Sequence, residues 1–108
     1  MTAPIPADLD VVWTPAHPST QTGEANVVFE IWSLTTGQSA ALAFTSLEHL
    51  VIALGPAQPW VSLSLAYLRT VVAAGNIDTV AIDPALDPYA RIWTLEDLLT
   101  LEKQMTAN

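Results

Sequence analysis

Asp83 is the carboxylate whose position most suggests chemistry. It closes a strand-like run over residues 78–83 (DTVAID) and is followed by Pro84. In open α/β sheets ligands bind beyond the carboxyl ends of strands, so a pocket at Asp83 could take a small molecule. The simpler reading is that Asp83 caps its own turn ahead of the proline through an Asx-type bond. The Asp87-Pro88 pair repeats that pattern. His17 lies between Pro15 and Pro18, and His49 follows Glu48. Neither belongs to an HExxH or His-x-His pattern, so both are read as surface residues and no metal site is expected. The hydroxyl residues fall at helix starts and in loops, without a G-x-S-x-G elbow. The four glycines are scattered singly, which leaves no phosphate-cradling loop. No catalytic residue and no cofactor is assigned.

Composition narrows the classes further. Three Lys+Arg stand against 11 Asp+Glu, a net charge of −8. Nucleic-acid affinity rests on basic residues neutralising phosphates, so a nucleic-acid partner is not expected. The absence of cysteine excludes a disulfide scaffold, a thiol nucleophile and a cysteine-ligated metal. With 108 residues the chain holds one domain, and mass scaling lets it bury roughly 65% of its unfolded surface. Charged residues are 13% and apolar residues 51%. A soluble domain averages about 25% charged, so uncharged surface must remain for a partner unless an alanine-rich composition alone accounts for the shortage.

Residues 1–8 read as a tail. Residues 9–105 form a single α/β (α+β) domain: a mixed β-sheet with about three helices, followed by a tail over 106–108. A short strand is expected over 9–13, closed by Thr14-Pro15, with a loop over 16–26. Residues 27–34 (VVFEIWSL) alternate as one continuous strand. Thr35-Thr36-Gly37-Gln38 turns it into a partner strand over 40–44. Thr45 and Glu48 have the spacing of a capping box, with Leu47, Leu50, Val51 and Leu54 inward and Gly55-Pro56 as the stop. A short buried strand over 59–63 precedes a second helix, capped by Ser62 or Ser64 and terminated at Gly75. A strand over 78–83 follows. Thr94 and Asp97 form the capping box of a third helix reaching about residue 105. The strand–helix alternation in the second half requires crossovers, hence partly parallel pairing.

The run over residues 40–84 carries a family resemblance. It contains Phe44-Thr45-Ser46, Glu48 and Leu50, Gly55, Trp60-Val61, Leu63-Ser64, Leu68-Arg69, Gly75, Val80 and Ile82-Asp83-Pro84. This resembles the SseB-like N-terminal domain in its short single-domain form. The resemblance spans about residues 9–85 and implies a small α/β domain with a mixed sheet. It implies no catalytic residues, because the family has no established ones.

The resulting expectation is a non-catalytic protein-interaction module, an adaptor or accessory subunit. One alternative is an immunity- or antitoxin-like acidic inhibitor of a basic protein. Another is a small-molecule-binding protein or enzyme with a pocket near Asp83. The candidate partner surface comprises Trp32, Leu34, His49, Ile52 and Asp83. Trp32 is either partly exposed or buried under a helix with Glu30 at the rim, and Trp60 is read as core. An open sheet edge and an apolar patch together favour a homodimer, or a hetero-complex on the same surface. No Lys or Arg precedes Arg69, which argues against a targeting peptide. The uncharged stretches 31–47 and 50–68 are interrupted by Gly37 and by Gly55, Pro56 and Pro59. No membrane span is therefore expected, and the expected location is cytoplasmic.

Overall fold

The computed structural model describes residues 7–18, 27–84, 86 and 92–106. Nine elements follow in order: β1 (Val11–Pro18), β2 (Val27–Phe29), β3 (Ile31–Ser33), β4 (Ser39–Ala43), α1 (Leu47–Leu54), β5 (Trp60–Ser64), α2 (Leu65–Ala73), β6 (Val80–Ile82) and α3 (Leu95–Thr106). The strands form two three-stranded sheets, ordered β2-β1-β5 and β3-β4-β6. Among the described strands only β4 and β6 pair in parallel. This is the mixed α+β domain expected, with two small sheets in place of one. Trp13 and Phe44 join the sheets by exchanging backbone hydrogen bonds of 2.9 and 2.8 Å.

Strand β4 is the centre of the fold. Its alternation sends Ala41 and Ala43 to one face and Leu42 to the other, where Phe44 continues the row. The alanine face packs with Val12, Leu65, Leu68 and Val72, so α2 covers it. The Leu42–Phe44 face packs with Leu50 and Leu54 of α1. Two helices on opposite faces of one strand divide the core into two clusters.

Two departures from the sequence expectation meet at Pro15. The first strand does not stop at Thr14-Pro15 but runs through Pro18. The strand over 27–34 is in turn broken at Glu30 into β2, paired to β1, and β3, paired to β4. The register Ala16↔Phe29 sets Pro15 opposite Glu30, whose N–H donates to the Pro15 carbonyl at 3.0 Å. Proline has no N–H to return, so the ladder ends there and the chain leaves for the second sheet.

The hairpin over 34–38 forms as expected, with Gly37 at φ +85° and its N–H bonded to the Leu34 carbonyl. Ser46, not Thr45, caps α1 by accepting the His49 N–H. Ser64 caps α2 by accepting the Tyr67 N–H. The end of α2 is closed by Asn76 at φ +65°, not by Gly75. There Asn76 N–H bonds to Ala73 and Ile77 N–H to Val72, a Schellman pattern with Ile77 packed on the Val72 cluster. Thr94 and Asp97 form the reciprocal box of α3 as read. Strand β6 is shorter than 78–83, and β5 is a sheet edge with Trp60 42% exposed, not a buried strand with Trp60 in the core. Among the described strands β1 is the one neighbour of β5.

Thr14 is fully buried on β1, and its Oγ1 has no hydrogen-bond partner among the described residues. Replacing the hydroxyl by a methyl removes that unmet demand at almost constant shape. Thr14→Val is therefore expected to stabilise the protein by about 1 kcal/mol, measured as a shift in the urea midpoint at unchanged m-value.

Candidate functional site

Two polar clusters and one apolar surface are the candidate sites. The first cluster stands where the parallel pair β4–β6 ends and α1 begins. Asp83 follows β6 with φ +44°, a left-handed conformation that turns its carboxylate across to the neighbouring strand. Its Oδ1 accepts the Thr45 N–H at 2.9 Å, and its Oδ2 accepts the Thr45 hydroxyl at 2.7 Å. Asp83 thus bonds the β4–α1 junction rather than capping its own turn.

His49 completes the group, with Nδ1 3.1 Å from Thr45 Oγ1 and 3.8 Å from Asp83 Oδ1. The hydroxyl proton of Thr45 is directed at Asp83, which leaves the Thr45 oxygen to accept from His49 Nδ1 in the tautomer that is protonated there. The chemical order is acid, hydroxyl, imidazole. A nucleophilic hydroxyl instead donates to the imidazole, which is held by the acid. The geometry is that of a strap between β6 and the start of α1. It also explains the shift of the helix cap to Ser46, since Thr45 is engaged by Asp83.

The second cluster centres on Glu30, at the break between β2 and β3. Its Oε2 accepts three N–H groups: His17 Nδ1 at 3.1 Å, Gln58 Nε2 at 3.0 Å and Trp93 Nε1 at 3.0 Å. The His17 and Trp93 rings lie 5.4 Å apart, tilted by 47°. Gln58 is 3% exposed, and its Nε2 also donates to the Pro59 carbonyl at 2.7 Å. A mostly buried carboxylate needs such donors, because desolvating an unpaired charge is costly. Glu30 thereby ties β1, the α1–β5 loop and the segment entering α3 to one atom. The sequence reading set Glu30 at a rim and the two histidines on open surface. His49 is exposed on α1, as expected, and also touches Thr45, whereas His17 is partly buried against Glu30. The Glu30 partners lie 13, 28 and 63 residues from it, too far apart for any local pattern to reveal the group.

The proposed partner residues have different surroundings. Trp32 and Leu34 are half-buried and pack against the Leu42–Phe44–Leu50–Leu54 cluster. His49 and Asp83 are tied to Thr45. Ile52 remains 75% exposed on the outer side of α1. A larger apolar surface lies on α3, where Leu95 and Leu99 are 69% and 57% exposed and Met105 is exposed. The sequence reading located this helix but not its open side. Its signal is the spread of five apolar residues in LEDLLTLEKQM, wider than one packing stripe requires. Asp97, Leu98 and Leu101 are half-buried, while Leu95 and Leu99 stand exposed. Ile92 leads into it from the end of α1, its Cδ1 lying 3.4 Å from where a Cβ on Gly55 would stand. Asp87 and Arg91 lie outside the described residues.

Among the described residues, no group of three or more His, Asp or Glu could hold a metal ion. No described helix is long and apolar enough to cross a membrane. Two sheets joined at Trp13–Phe44 and covered by α1 and α2 define a small mixed α+β domain. The chain matches the SseB protein N-terminal domain over residues 2–92, and it belongs to that family. Comparison with functionally described proteins and with solved structures finds no match. Helix α3 begins just beyond the matched residues.

Proposed function

We propose that this protein is a non-catalytic protein-interaction module, an adaptor or accessory subunit, that engages its partner through α3. The observation that carries the reading is the open side of that helix. Leu95 and Leu99 lie one turn apart and exposed, on a helix appended to the family domain. A 12-residue helix is marginal in isolation, and burying an apolar face against a partner supplies what it lacks. The partner's matching surface is an apolar groove that receives one helix face. Helix α3 carries Glu96, Asp97 and Glu102 against Lys103, a local balance of 1 − 3 = −2, so the groove is rimmed by basic residues.

The two polar clusters support the same reading. Both Asp83 oxygens are engaged by Thr45, and Glu30 Oε2 is engaged by three donors. Each serves the fold. A second reading, an acidic inhibitor of a basic protein, is favoured by the net charge of −8. It uses the same helix and differs in the consequence of binding.

Affinity purification from the native host tests the proposal. The wild-type protein is expected to retain a stoichiometric partner that the Leu95→Asp/Leu99→Asp double variant loses. The double variant should keep its circular dichroism, because both side chains are exposed. Recovery of no partner by the wild type, or equal recovery by the variant, would overturn it.

A further inference from the structure

We infer that β5 is a self-association edge, along which two copies of this chain join their β2-β1-β5 sheets about a two-fold axis at Ser62. The surface is distinct from α3, and the inference stands independently of the function proposed for that helix.

Among the described residues β5 ends its sheet, with β1 on one side and no strand on the other. The register with β1 determines which groups are free. Val12 faces Leu63 and Thr14 faces Val61, while Ala16 N–H donates to the Pro59 carbonyl. Residues 59, 61 and 63 therefore direct their backbone polar groups toward β1. Alternation turns the N–H and C=O of Trp60 and Ser62 outward. Neither forms a backbone hydrogen bond outside the ladder. Such an edge is a template for another strand, and proteins commonly block it with charge, proline or a bulge. Residues 60–64 read WVSLS, with no charge and no proline.

The occupant follows from charge and from symmetry. Residues 50–68 hold no Asp, Glu, Lys, Arg or His, in a chain of net charge −8. Two such chains repel over most of their surface, yet at this edge no like charges come face to face. Beyond a screening length of about 8 Å at physiological salt, the remaining repulsion is weak. The strand is also complementary to itself. In an antiparallel two-fold pair Ser62 meets Ser62 of the second copy and exchanges both N–H···O bonds with it. Val61 then meets Leu63, and Trp60, exposed on one face, meets the small Ser64. A foreign charged strand would find no charge on β5 to select it. The product is a six-stranded sheet, β2-β1-β5-β5-β1-β2. Five residues of strand bury less than the roughly 800 Å² per partner of a standard interface, so the dimer is weak and reversible.

Sedimentation equilibrium over about 5 to about 500 µM provides the test, because mass action drives a weak dimer across that range. The weight-average mass is expected to climb from 11.6 kDa toward twice that value. Ser62→Pro removes an outward N–H that β1 does not use, and is expected to raise the dissociation constant about tenfold or more. Ser62→Lys sets two like charges opposite each other and should do the same without a proline. If the proline variant loses its circular dichroism, the lysine variant decides. Amide exchange at Ser62 should slow with concentration in the wild type alone. A wild type that stays at 11.6 kDa throughout, including one that captures an extended peptide instead, overturns the inference. So does a dimer that survives both substitutions. The Leu95→Asp/Leu99→Asp variant should dimerise like the wild type, and a dimer lost there would place the contact on α3 and overturn the β5 assignment.

Discussion

Glu30→Ala is expected to lower the unfolding free energy by about 3 kcal/mol, from three donors that lose one acceptor. His17 has 28% of its side chain exposed and can turn to water. Gln58 keeps its bond to the Pro59 carbonyl, but its buried amide loses a partner, as does the Trp93 indole. For a domain near 100 residues, each kcal/mol is worth about 4–8 °C in Tm, so the loss should be plain in a thermal melt. Glu30→Gln retains an oxygen acceptor at the same place and is expected to cost less, about 1–2 kcal/mol. Tryptophan emission should shift to the red in the alanine variant, because Trp93 is held to the body of the domain by this bond. Equal stability of wild type and Glu30→Ala would show that the cluster contributes nothing net.

The second large effect is expected at Phe44. It is 1% exposed, packs with Leu42, Leu50 and Leu54, and carries the backbone bridge to Trp13. Phe44→Ala opens a cavity under α1 at the point where the two sheets join, and is expected to cost about 3–5 kcal/mol. Chemical denaturation gives the value directly. A loss below about 1 kcal/mol would mean that the surrounding side chains collapse into the space. Glu30 and Phe44 belong to different groups of contacts, so their double variant should be near the sum of the two losses. A total stability of 5–15 kcal/mol leaves little for such a protein to fold with.

Local sequence determined what depends on neighbouring residues. The hairpin at Gly37, the inward faces of α1 and α2, the Ser64 cap and the Thr94–Asp97 box each rest on residues within a few positions of one another. The resemblance carried by residues 40–84 led to the family that the match over residues 2–92 shows. Tertiary structure decided where distant segments meet. The alternation in VVFEIWSL is continuous, and nothing local marks Glu30 as a break. The break arises because Pro15, half the strand pair away, cannot donate. Thr45 was a good cap by spacing, but Asp83, 38 residues on, takes its hydroxyl. Trp32 and Trp60 are both strand tryptophans, and one half-buries under α1 while the other stands at an open edge. Burial is a property of which strand lies beside which, and that order is settled by long-range pairing rather than by period or propensity.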